Sequence, residues 1–74
     1  MMIIVKLLDL IKERGISLRS VAIETGMSYN TLHKLAHNKT NSIAYATIIQ
    51  LCKFFNCRIE DVIEYIEYVD IDEN

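Results

Sequence analysis

Three residues in the middle of this chain restrict its fold more than composition does. In SLRSVAIETGMSYNTLHKLAHNK, residues 17–39, Ser17 is placed to cap a helix over about 18–25. Gly26 is placed to end that helix, where left-handed backbone is needed, and Ser28 to cap a second helix over about 29–37. Two short helices joined by a tight glycine-containing turn make a helix-turn-helix. Val21 and Ala22 before the turn, and Met27, Leu32 and Leu35 after it, form one compact inner face. Ala22 is small because helices that cross steeply leave no room for more. The other side of the second helix carries Tyr29, Asn30, Thr31, His33, Lys34 and His37, polar and aromatic with no acid among them. A helix that merely faced solvent would usually carry some Glu.

The flanking segments continue the helical reading. The chain has no proline and two glycines, which argues against a sandwich of short strands. Leu7, Leu10 and Ile11 give a first helix from about Lys6 to Arg14 its inner face, and Gly15 ends it. Leu8 lies off that face. In the loop 37–43, Asn38 tolerates left-handed dihedrals and Ile43 dips into the core. Ile48, Leu51, Cys52 and Phe55 make the stripe of a fourth helix over about 45–55. A fifth over about 59–66 buries Val62, Ile63 and Ile66. Its capping at Arg58 is weak, although Glu60 and Asp61 suit a helix N-terminus. The head, Met2–Val5, prefers strand, and YVDID, residues 68–72, alternates. A strand needs a partner for its backbone groups, so a small antiparallel β-pair from residues 2–5 and 68–72 is expected, within one chain or across a dimer. The alternative is a first helix extended backwards. The fold class expected is all-α: a compact five-helix domain with this terminal β-pair.

Seventy-four residues make a single domain over 1–74, one that buries only about 60% of its unfolded surface. No apolar run approaches the roughly 20 residues of a membrane span, and the N-terminus is too short for a signal peptide, so a cytoplasmic protein is expected. The net charge of −2 hides an asymmetry. Residues 1–58 hold all eight Lys and Arg against three acids, whereas residues 59–74 hold seven acids and no base. A basic body suits phosphate contact, and the acidic C-terminal segment 67–74 should face away from nucleic acid. Cys52 and Cys57 read as reduced thiols acting as small hydrophobes. His33 and His37 stand four apart but lack a third ligand nearby in sequence. No metal, cofactor or catalytic constellation is expected, and no enzymatic activity.

In register, Leu7, Leu10 and Ile11, Gly15-Ile16-Ser17, Val21-Ala22, Gly26-Met27-Ser28, Leu32, Leu35, Thr47-Ile48, Leu51-Cys52 and Asp61-Val62-Ile63 resemble the Cro/C1 repressor family, also called XRE, in its short single-domain members. The resemblance runs from about Leu7 to Tyr65. It implies double-stranded DNA as partner, with the helix 29–37 in the major groove. Tyr29, Asn30 and Lys34 would contact bases. Ser17, Arg19, Ser28, Thr31, His33, His37, Lys39, Thr40 and Asn41 would contact phosphates. Asn can read adenine bidentately and Lys can reach guanine. Leu18 stands where relatives put a phosphate-contacting Gln, so that contact is lost. Ile11 and Ala36 replace a basic and an acidic residue that often pair inside this fold, which avoids burying an ion pair. One domain reads few base pairs, so a homodimer on a near-palindromic operator is expected, joined through Tyr65, Ile66 and Tyr68 or through the terminal sheet. The rival reading is an antitoxin-like or adaptor module that holds a protein partner through its acidic end.

Overall fold

The computed structural model describes residues 2–67. The elements in chain order are β1 (Met2–Val5), α1 (Leu7–Arg14), α2 (Leu18–Thr25), α3 (Tyr29–Ala36), α4 (Tyr45–Phe55), α5 (Ile59–Val62) and β2 (Ile63–Ile66). Five helices pack around one apolar cluster, and β1 and β2 form a two-stranded antiparallel ribbon beside them.

Helix boundaries follow local chemistry. The first four helices are each followed by a left-handed residue: Gly15 (φ +66), Gly26 (φ +77), Asn38 (φ +56) and Asn56 (φ +52). At Gly15 the turn is doubly closed, Gly15 N–H to the Lys12 carbonyl and Ile16 N–H to the Ile11 carbonyl. The closure pairs the Ile11 and Lys12 carbonyls, two of those that the end of a helix leaves open. Arg58 starts α5 with half of a capping box: its N–H donates to the Asp61 carboxylate at 3.1 Å. Its guanidinium pairs with Glu60 at 2.7 Å, and that hydrogen bond holds the Glu60 carboxyl below the usual carboxylate range.

The centre of the cluster is Leu7, Val21, Leu32, Leu51, Phe55 and Val62, all fully enclosed. Val5, Leu10, Leu18, Ala22, Leu35 and Ala36 complete it, and Ile11, Met27, Ile43, Cys52 and Ile63 are among the half-buried residues packed against it. Leu18 is thus a core residue, which explains an apolar side chain at that place. Ile11 and Ala36 likewise meet apolar surroundings. Leu8 stays exposed.

The fifth helix is shorter than its sequence pattern suggests. Ile59, Val62, Ile63 and Ile66 have helical spacing, yet the helix stops at Val62 and the chain extends. Residues 63–66 pair with β1 in the register Met2↔Ile66, Ile3↔Tyr65, Ile4↔Glu64 and Val5↔Ile63. A β-pair at the N-terminus is therefore present within one chain, but its second strand is 63–66. The expected partner, residues 68–72, lies outside the described residues. Extension also leaves Ile66 at the surface and not in the core. The ribbon is fastened at its base by Lys6 N–H to the Val62 carbonyl at 2.7 Å and by a Lys6–Glu64 ion pair at 3.8 Å.

Candidate nucleic-acid interface

The helix-turn-helix is held by short-range bonds that its own residues dictate. Ser17 and Ser20 form a reciprocal box: Ser20 N–H donates to Ser17 Oγ at 3.1 Å and Ser17 N–H to Ser20 Oγ at 3.3 Å. Thr25 Oγ1 bridges the turn, donating to the Val21 carbonyl at 2.7 Å and accepting from Met27 N–H at 3.2 Å. Ser28 Oγ accepts from Thr31 N–H at 3.3 Å and so caps α3. A brace from outside the motif comes from α4, where Gln50 Nε2 donates to the Thr25 carbonyl at 3.2 Å. Nothing in the sequence near the turn announces that brace, because it spans twenty-five residues.

These bonds set the roll of α3. Leu32, Leu35 and Ala36 face the core, so Tyr29, Asn30, Thr31, His33 and Lys34 face outward. All twelve expected contact residues are exposed: Ser17, Arg19, Ser28, Tyr29, Asn30, Thr31, His33, Lys34, His37, Lys39, Thr40 and Asn41. Asn30 and Lys34 carry no side-chain hydrogen bond or ion pair among the described residues. Ser17 and Ser28 are committed to capping through Oγ. A phosphate could still meet their hydroxyl hydrogens and the free amides of the first helical turns.

A column of side chains runs the length of α3. The Arg19 guanidinium lies 4.7 Å from the centre of the Tyr29 ring, a cation–π contact that ties the start of α2 to the start of α3. The Tyr29 and His33 rings are 5.9 Å apart, and His33 and His37 are 4.2 Å apart. His37 Nδ1 lies 2.9 Å from the His33 carbonyl. The spacing of four implied that these rings share a side, but the Arg19 contact depends on how the two helices cross. Among the described residues no group of three or more His, Cys, Asp or Glu is arranged to hold a metal ion.

The acids of the described C-terminal part, Glu60, Asp61, Glu64 and Glu67, lie on α5 and β2 and beyond, none on α2 or α3. Two of them are paired with the chain's own bases, Glu60 with Arg58 and Glu64 with Lys6. Among the described residues α3 thus carries no negative side chain on its outer surface, which is what a phosphate-lined partner requires.

A capped helix-turn-helix with a polar, acid-free outer helix defines a domain of the helix-turn-helix DNA-binding class. The model of the Cro/C1-type helix-turn-helix DNA-binding domain matches residues 6–67 of this 74-residue chain, and the chain belongs to that family. No curated protein matches it. No described helix is long and apolar enough to cross a membrane.

Proposed function

We propose that the protein is a cytoplasmic, sequence-specific regulator of transcription that reads double-stranded DNA with α3 and acts as a repressor. The observation that carries this reading is the outer face of α3, where Asn30 and Lys34 project without partners from a helix whose other side is locked in the core. Tyr29, Asn30 and Lys34 contact base edges. Ser17, Arg19, Ser28, Thr31, His33, His37, Lys39, Thr40 and Asn41 grip the backbone on either side. Repression needs only that a bound domain occlude the site. Two copies bind a near-palindrome with half-sites about 34 Å apart. The ribbon supplies the surface between them, since Met2, Ile3, Tyr65 and Ile66 all keep substantial exposure there.

The experiment is a gel shift with genomic fragments, the chain's own promoter region included, at stated low salt. A retarded band at or below micromolar protein supports the reading, and none at that concentration rejects it. Asn30→Ala and Lys34→Ala each cost about 1–3 kcal/mol of specific binding. If the double variant bound as tightly as wild type, another surface would be the reading head.

A further inference from the structure

The turn after α3 is tied to the N-terminal strand by a single side chain. Asn38 sits in the left-handed region. Its N–H donates to the Leu35 carbonyl at 3.0 Å, and the N–H of Lys39 to the Lys34 carbonyl at 2.9 Å. This double closure is one that glycine serves best as far as the backbone is concerned. Asparagine adds an amide, and the amide is used. Oδ1 accepts from Val5 N–H at 2.7 Å, and Nδ2 donates to the Val5 carbonyl at 3.4 Å. Those are the two bonds a neighbouring strand would make to Val5. Asn38 therefore closes the edge of β1 that faces away from β2. The other left-handed asparagine, Asn56, forms no side-chain hydrogen bond among the described residues.

Beyond Asn38 the turn has little to hold it. Thr40, Asn41 and Ser42 take part in no hydrogen bond among the described residues, and the next anchor is the half-buried Ile43. We propose that Asn38 is a positioning residue for DNA binding. By pinning the end of the recognition helix to β1, it holds Lys39, Thr40 and Asn41 ready to grip a phosphate. This rests on the regulator reading above. Without the pin, those residues must be ordered at the moment of binding, at an entropic cost of roughly one residue's backbone freedom. That corresponds to about a tenfold loss of affinity.

Asn38→Gly in the full chain tests this, because glycine keeps the left-handed backbone and removes only the amide. The variant should melt within about 5 °C of wild type and bind DNA about tenfold more weakly. Backbone 15N relaxation of the free variant should show a mobile 39–42 segment. Lys39→Ala should cost less in the Asn38→Gly background than alone, and Asn56→Gly should leave binding unchanged. Losses at Asn38 and Lys39 that simply add would overturn the proposal, as would unaltered relaxation at 39–42. A Val5 amide that exchanges as fast as a free one in the wild type would overturn it whatever the variant does. Wild-type protein that bound no DNA would remove the regulator reading and this inference together. Normal wild-type binding with additive losses removes the inference alone.

Discussion

The helical body and the terminal ribbon are both rich in isoleucine, leucine and valine, and they treat them in opposite ways. In the body Leu7, Val21, Leu32, Leu51, Phe55 and Val62 have no solvent contact worth counting. Along β1 burial fades with distance from the body, and the end of β2 is exposed as well. Val5 is 7% exposed, Ile3 54% and Met2 56%, with Ile66 at 37% opposite Met2. Free energy of folding is therefore concentrated in the body. The ribbon carries apolar surface that the other described residues leave uncovered, and a two-stranded ribbon alone is marginal in water. One region makes the fold, and the other is the surface proposed above to meet a second copy.

The largest test of that contrast compares truncations in the two regions. Phe55→Ala should cost about 3–5 kcal/mol, enough to unfold much of a small domain of ordinary stability. Ile3→Ala should cost less than about 1 kcal/mol in the monomer, because over half of that side chain is already in water. Urea unfolding followed by far-ultraviolet circular dichroism measures both. Comparable losses would mean that the ribbon belongs to the core after all. Sedimentation velocity on the same Ile3 variant sharpens the comparison: a dimer held by the ribbon should dissociate at higher protein concentration than wild type.

The same contrast explains what could be read from the sequence. Ser17, Gly15, Gly26 and Ser28 act within four residues of themselves, so residue type and spacing suffice to place the ends of α1, α2 and α3. The inner stripe of α4 is equally local, with Ile48, Leu51 and Phe55 at helical intervals. The strand at 63–66 was not legible. Ile59, Val62, Ile63 and Ile66 repeat every three or four residues, and local pattern favours a continuous helix. What overrides it is non-local: the backbone groups of β1 need partners, and extending 63–66 satisfies them. In the reading surface, the outward set on α3 followed from its inward set. The proposed contact residues in the turn could be named from family likeness, but their anchor could not. Asn38 was legible as a left-handed residue, whereas its grip on Val5, thirty-three positions away, is a product of the assembled fold.

A middle-sized effect tests how much of the body's order resides in the turn between α2 and α3. A Cβ at Gly26 would meet nothing within 4 Å, so Gly26→Ala suffers backbone strain alone. At φ +77 that strain should cost about 1–2 kcal/mol and lower the thermal midpoint without a change in unfolding cooperativity. A loss much larger than this would show that the turn also has no room for a methyl group. Ser28→Ala, which removes the cap of α3, should cost about 1 kcal/mol in the same assay.

The smallest expected effect concerns the seam where the body hands over to the ribbon. Cys57 N–H donates to the Cys52 carbonyl at 3.0 Å across the left-handed Asn56, a geometry that brings the side chains of the two positions together. Both thiols are free and half-buried. Burial pushes the Cys57 thiol up from its ordinary value, and the neighbouring Cys52 and Asp61 add to this while Arg14 opposes it. A raised value in the folded state means that folding favours the protonated thiol. Its contribution is whole below the ordinary thiol range, near pH 8.5, and is lost as pH rises through the higher folded value. Wild type should therefore lose stability on going from neutral to strongly alkaline pH by more than Cys57→Ala does. Every other ionisable group is common to both proteins, so the difference between the two slopes isolates the thiol. Parallel slopes would mean that the thiolate forms there as easily as in water. The seam would then be wet, and the boundary between the closed body and the open ribbon would have to be drawn further inside, at Phe55.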